Sequence, residues 1–228
     1  MKISLCLLVW NELEGCRLDA CKLPRDAFDE VYAVDGGSTD GTVAYLESLG
    51  IPVYRQPKTG LNAAYIHAAD RSTGDAVVVF FPKGTIDPES MRRFRPLLEG
   101  GNELVVASRN IPGGYNEEDE HLLKPRKWGV TALSFFVSLL WQREGYRICD
   151  VLHGYKGFSL DAFRKIAPLD HGLSIDLEMV ARSYRLSLRR AEFPVSEIAR
   201  PFGETRFPII STAKRLLRYL YYELRRRD

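Results

Sequence analysis

The chain has little excess charge of either sign, few cysteines and no long apolar run, and each shortage narrows what it can be. Across 228 residues, 32 Lys and Arg face 30 Asp and Glu, a net charge of +2. A general nucleic-acid binder carries a domain-wide basic excess, so the balance argues against that class. The four cysteines, at 6, 16, 21 and 149, form no Cys-x-x-Cys pair and have no histidine at metal spacing. Neither a disulfide framework nor a zinc site is indicated, and reduced, cytosolic thiols are expected. The apolar run 3–10 is too short for a signal-peptide core or a membrane span and meets Glu12 at once, so it reads as a buried strand. Internal repeats and low-complexity linkers are also missing. With 45% apolar residues, the composition is that of one globular domain.

The small net charge hides an uneven distribution. Residues 1–100 carry 11 basic and 14 acidic side chains, residues 101–199 carry 13 of each, and residues 200–228 carry 8 and 3, so the positive excess sits in the tail. Apolar runs of strand length at 2–9, 30–34, 52–55, 75–81 and 103–107 alternate with amphipathic stretches near 12–22, 41–49, 62–71 and 88–98. This predicts an α/β fold with a mostly parallel sheet flanked by helices. Asn62 is the expected N-cap of the third helix. Such a sheet binds its ligand at the carboxyl ends of the strands, in the loops after residues 9, 34, 55, 81 and 107. The polar segment 111–127 reads as a mobile loop, followed by a helix over 125–141 that is core-packed or interfacial but too short to span a bilayer. A strand near 155–159, a helix over 174–184 and a strand over 188–195 complete the pattern.

The loop after the second strand reads Asp35-Gly36-Gly37-Ser38-Thr39-Asp40-Gly41. Its glycines suit a sharp turn and close ligand approach, and a carboxylate at a strand end can accept from a base or ribose. Alternatively, Ser38, Thr39 and Asp40 simply cap the next helix. Together with Trp10-Asn11-Glu12, Lys58-Thr59-Gly60-Leu61-Asn62 and Thr73-Gly74-Asp75, this loop resembles the inverting family 2 glycosyltransferases of GT-A fold. The later stretches Ser108-Arg109, Gly154-Tyr155-Lys156-Gly157-Phe158, Ile175-Asp176-Leu177-Glu178-Met179 and Glu192-Phe193-Pro194-Val195 resemble the dolichyl-phosphate mannose synthase branch, which moves a hexose from a nucleotide sugar to a polyprenyl phosphate. The resemblance spans residues 2 to 207.

The resemblance implies that Asn11, Glu12, Asp35, Gly37 and Lys58 hold the nucleotide sugar, with Asp75 close by. It departs at the fourth strand, where the family's Asp-x-Asp, which binds Mg2+ or Mn2+, is replaced by Phe81-Pro82-Lys83. Neither side chain can supply the oxygen ligands that magnesium needs. Three outcomes are open: metal-free transfer with Lys83 neutralising the donor diphosphate, a metal held elsewhere, for instance by Asp87 or Glu89, or loss of activity. On the acceptor side the resemblance implies phosphate binding by Arg109, Arg126, Ser134, Arg200 and Arg206. Arginines suit that task because guanidinium groups grip phosphate oxygens in a fork. Asp176 and Glu178, two apart on a helix, do not share a face, so one of them is expected at the site.

From residue 208 the chain has apolar residues at 209, 210, 213, 216, 217, 220, 221 and 224, with Lys214, Arg215, Arg218 and three terminal arginines elsewhere. A basic amphipathic helix of this kind either lies on an anionic bilayer or packs on the domain. The division is thus a GT-A domain, 1–207, and a C-terminal helix, 208–228. The expected function is hexose transfer from a nucleotide-diphosphate sugar to polyprenyl phosphate by a protein peripheral at the cytoplasmic membrane face, with a membrane-anchoring partner. A degenerate nucleotide-sugar-binding protein and a transferase to a soluble acceptor are the alternatives.

Overall fold

A computed structural model of the chain describes residues 1–120, 122–169, 174–202 and 209–226. The apolar runs form β1 (Ile3–Val9), β2 (Glu30–Asp35), β3 (Val53–Arg55), β4 (Ala76–Phe80), β5 (Leu104–Ser108), β6 (Lys156–Ser159) and β7 (Arg190–Pro194). They make one seven-stranded sheet in the order β3-β2-β1-β4-β6-β5-β7. All neighbours are parallel except β6, which runs antiparallel between β4 and β5. The helices are α1 (Leu13–Asp19), α2 (Thr42–Ser48), α3 (Leu61–Arg71), α4 (Phe94–Glu99), α5 (Pro125–Trp141), α6 (Leu160–Ile166), α7 (Ile175–Arg185) and α8 (Ile209–Arg225). α6 follows β6 directly, capped by the Ser159 hydroxyl, and no apolar periodicity had marked it.

Strand alternation separates two cores, because successive side chains point to opposite faces. Ile3, Leu5, Leu7, Val78 and Phe80 pack with Cys16 of α1, Leu46 of α2 and Phe94 of α4. Cys6, Leu8, Val77 and Val79 pack on the other face with Tyr65 of α3, Val137 of α5 and Met179 of α7, joined by Leu216, Tyr219 and Leu220 of α8. The tail helix is therefore docked on the second core through one of its faces. Its opposite face, with Leu217, Tyr221 and Leu224, is exposed. α5 is divided in the same way: Val137 is buried while Trp128, Phe135 and Leu139 are exposed. No described helix is long and apolar enough to cross a membrane. The 111–127 loop contains a 3-10 turn braced by Asp119, whose carboxylate accepts from Lys124 and Lys127.

Asn62 does not cap its own helix; Gly60 occupies that position, with no side-chain cap. It lies fully buried inside α3, where its Oδ1 accepts from the backbone N–H groups of Ser174 and Ile175, each at 3.0 Å, and so caps α7. Its Nδ2 donates to the Leu169 carbonyl and to Glu178. Removing that side chain strands two helix N–H groups and one carboxylate in the core. Asn62→Ala is expected to lower unfolding free energy by about 2 kcal/mol, measured by denaturant titration, since leaving buried partners unsatisfied costs about 1–3 kcal/mol.

Candidate active site

The parallel strands β1, β2, β4, β5 and β7 bring their carboxyl ends to one edge, and the site is built from the loops leaving it. The first two loops interlock. The Asn11 backbone, in a left-handed conformation with φ 47°, donates to the Ser38 hydroxyl, and its Oδ1 accepts from the Thr39 N–H at 2.7 Å. The buried Asp35 carboxylate accepts from the N–H groups of Gly37 and Ser38 and shapes the turn, with Gly37 at φ 98°. Lys58 is exposed in the loop before α3.

Beside these loops lies a cluster of opposed charges. Arg109 donates through Nε and Nη2 to Asp150, at 2.8 and 2.9 Å, and through Nη1 to Glu197 at 2.7 Å. Burial alone would raise the Asp150 carboxyl, but the Arg109 guanidinium outweighs it and holds the pKa at about 2. Arg200 pairs with Glu12, joining a residue expected on the acceptor side to one expected at the nucleoside. Lys156, fully buried, donates to Asp176 at 2.7 Å and to the His153 carbonyl. Lys83 sits in the field of Glu197, Glu12 and Asp176, with Arg200 opposing, and burial lowers its ammonium pKa.

The chain's residues at the Asp-x-Asp position do not fit a divalent cation. Lys83 brings a positive charge, and the Phe81 carbonyl already accepts from the Tyr155 hydroxyl at 2.7 Å. Asp87 and Glu89 lie on the surface, where Asp87 caps the 3-10 turn that follows it and Glu89 pairs with Arg92. Both carboxylates are engaged there, and no group of three metal-binding side chains occurs among the described residues.

Four other expected site residues are placed elsewhere or are occupied. Asp75 precedes β4 and accepts from the Lys2 N–H, so it lies at the amino-terminal edge of the sheet. With β1 and β4 parallel and in register from Ile3 and Ala76, a five-residue strand separates it from the site by roughly 17 Å. Glu178 is fully buried and accepts from Asn62, Ser174 and the Leu169 N–H, a structural role that leaves Asp176 as the carboxylate facing the cluster. Ser134 is buried in α5, its hydroxyl shared between the carbonyls of Val130 and Cys149. Arg126 is half-exposed at the start of α5 and pairs with Glu117 at 3.3 Å. Arg206 lies outside the described residues.

Sequence reading missed Asp150, His153, Tyr155, Lys156 and Glu197. Tyr155 and Lys156 stand in a recognisable stretch; the others acquire meaning from partners 40 or more residues away, such as Asp150 with Arg109. The His153 Nδ1–H donates to the Ala107 carbonyl, which leaves Nε2 without a donor among the described residues and 3.8 Å from Glu197.

A cluster of paired charges at the carboxyl edge of a mixed α/β sheet, with an acidic Gly-Gly loop after β2, fits a GT-A-like fold. The profile of Glycosyl transferase family 2 matches residues 5–167, and the chain belongs to that family. It is 28% identical over 221 residues to an undecaprenyl-phosphate mannosyltransferase of Micrococcus luteus, covering 90% of this chain and 87% of the relative. It is 26% identical over 193 residues to a polyprenol monophosphomannose synthase of Mycolicibacterium smegmatis, covering 76% and 68%. Among solved structures, glucosyl-3-phosphoglycerate synthase from Mycobacterium tuberculosis, in complex with Mn2+, uridine diphosphate and phosphoglyceric acid, superposes with a TM-score of 0.73 at 19% identity, covering 100% of this chain and 80% of that one. This likeness concerns the fold.

Burial, followed by the Arg109 charge, keeps the His153 ring neutral, its pKa pushed down from 6.5 to about 4. The unfolded chain binds a proton at this imidazole near pH 6.5 and the folded one only near pH 4, so His153 removes stability as pH falls through that window. The difference in unfolding free energy, wild type minus His153→Gln, is expected to decrease as pH is lowered from 6.5 to 4. Denaturant titrations across that range check it, and a constant difference refutes the neutral imidazole.

Proposed function

We propose that this chain transfers a hexose from a nucleotide-diphosphate sugar to a polyprenyl phosphate at the cytoplasmic face of a membrane, with Lys83 supplying the positive charge that a metal ion supplies in its relatives. The observation that carries this reading is the Lys83 ammonium beside β4, amid Glu12, Asp176 and Glu197. The similarity to an undecaprenyl-phosphate mannosyltransferase and a polyprenol monophosphomannose synthase supports the acceptor class. A phosphate monoester has its second pKa near 6, so the acceptor arrives largely as a dianion and needs no general base. Its oxygen attacks the anomeric carbon from the face opposite the diphosphate. The glycosidic C–O bond breaks, its electron pair stays on the departing diphosphate, and the configuration inverts. Charge grows on that leaving group as the bond stretches, and a fixed ammonium nearby stabilises it more in the transition state than in the ground state. Asn11, Glu12, Asp35 and Gly37 belong in this reading to the donor loops. Arg200 contributes to the acceptor phosphate after exchanging Glu12 for it, and Arg109, held by Asp150 and Glu197, fixes the loops that frame the site.

Incubation with a panel of nucleotide sugars and a short polyprenyl phosphate, with EDTA or with added magnesium, tests the proposal. Product is expected in EDTA, reduced roughly 100- to 1,000-fold in Lys83→Ala, the scale for removing one preorganised stabilising group. Nucleotide binding without product under every condition favours the non-catalytic alternative.

The exposed face of α8 supports the membrane reading. Leu217, Tyr221 and Leu224 are 64%, 55% and 53% exposed, and the Arg225 guanidinium lies over the Tyr221 ring. Because Leu216 and Leu220 are buried on the other side, deleting the helix would damage the core. The paired substitution Leu217→Glu and Leu224→Glu is expected to weaken co-sedimentation with phosphatidylglycerol vesicles while leaving the melting temperature nearly unchanged. Unaltered sedimentation would refute the interfacial face.

A further inference from the structure

The fourth strand runs into Phe81-Pro82-Lys83, and the proposed transfer uses only the lysine. We infer that Phe81 is a positioning residue: its ring seats the Lys83 ammonium through a cation–π contact, holding the charge toward the donor diphosphate without neutralising it. This rests on the reading of Lys83 given above.

The Lys83 Nζ lies 4.7 Å from the Phe81 ring centroid, inside the roughly 6 Å reach of a cation–π attraction. The ring is held from three sides. Tyr155 meets it edge-on at 5.6 Å between centroids and 71°, and Tyr65 lies at 6.5 Å. Gly154 lies against it so closely that a Cβ there would fall 2.7 Å from the ring's Cε2. The Phe81 backbone is pinned as well, its carbonyl accepting from the Tyr155 hydroxyl. On the other side of the strand loop, Gly15 of α1 lets the helix close on the Pro82 carbonyl, which a Cβ would approach to 2.1 Å.

The chemistry of the seat matters more than its tightness. No described carboxylate forms an ion pair with Lys83 within 4.0 Å. A carboxylate partner would cancel the charge and would have to be displaced before a diphosphate could bind. An aromatic face instead attracts the ammonium through its quadrupole, carries no net charge and takes no hydrogen bond from it in the ordinary sense. The ammonium is thus left without a direct carboxylate partner among the described residues, although burial lowers its pKa. The two substitutions at the Asp-x-Asp position therefore act together: the lysine brings the charge, and the phenylalanine fixes where it stands.

A double-mutant cycle on the full chain tests this, using Phe81→Leu, Lys83→Met and the two combined. Transfer is followed in EDTA, binding of uridine and guanosine diphosphates by calorimetry with the free nucleosides as controls, and folding by melting temperature. Phe81→Leu is expected to weaken diphosphate binding and transfer roughly 3- to 30-fold, to leave nucleoside binding unchanged, and to have no further effect in the Lys83→Met background. Phe81→Tyr, which keeps an aromatic face, is expected to stay closer to wild type, and Phe81→Met replaces the leucine variant if that one fails to fold. Equal losses in both backgrounds, or no loss in either, overturn the seat and reduce Phe81 to packing. If Lys83→Met binds diphosphates as well as wild type, the reading of Lys83 falls and takes the seat with it. If Lys83→Met is impaired and Phe81→Leu is not, the seat alone is lost.

Discussion

Charge compensation at the carboxyl edge of the sheet is the constraint on which the site depends. Glu12, Asp150, Asp176 and Glu197 stand against Lys83, Arg109, Lys156 and Arg200, most of them well removed from solvent. Breaking one partner of a buried pair costs about 3–5 kcal/mol, because the other charge is left uncompensated. Arg109 shows how this limits chemistry. With its guanidinium committed to Asp150 and Glu197, it fixes the loops after β5 and β7 to each other before it can meet any ligand. Lys83 differs from the other three cations in that its close neighbour is an aromatic ring and not a carboxylate.

A second polar network supports the first from behind. Asn62 ties α3 to the start of α7, Glu178 gathers the loop before α7, and Arg182 and Arg185 of α7 pair with Glu223 of α8. The helix that presents Asp176 to the site is thereby anchored at its first turn by α3 and along its length by the tail. The division into a domain of 1–207 and a separate helix is blurred by this packing: Leu216, Tyr219 and Leu220 belong to the same core as Met179 and Tyr65. α8 serves the core with one face and offers the other to a surface.

Regular elements were legible because burial on both faces leaves a continuous apolar signature. Strands β1 to β5 and helices α3, α5 and α7 fall within one or two residues of their predicted bounds, as with α5 at Pro125–Trp141. α6 was missed because it follows β6 with no intervening loop to set it apart. The site was less legible. Motif resemblance named Glu12, Asp35, Lys83 and Arg109, which the fold brings to the carboxyl edge, and expected one of Asp176 and Glu178 there, of which Glu178 is sealed in the core; it also named Asp75, which lies at the amino end of β4, and Ser134, which is buried in α5. Both displacements have one origin: a motif names residue types without saying which edge or face the chain gives them.

Local sequence alone determined the α/β alternation, the parallel sheet with its ligand edge, the absence of Asp-x-Asp and the basic amphipathic end, since each is a property of neighbouring residues. The tertiary structure decided that Asn62 caps a helix more than a hundred positions away, that Asp176 meets Lys156 while Glu178 is sealed in the core, and that Phe81 lies under the Lys83 ammonium. Those outcomes depend on partners far apart in the chain, and hydrogen bonds, ion pairs and ring contacts exist only once the fold has brought such partners to within a few ångströms.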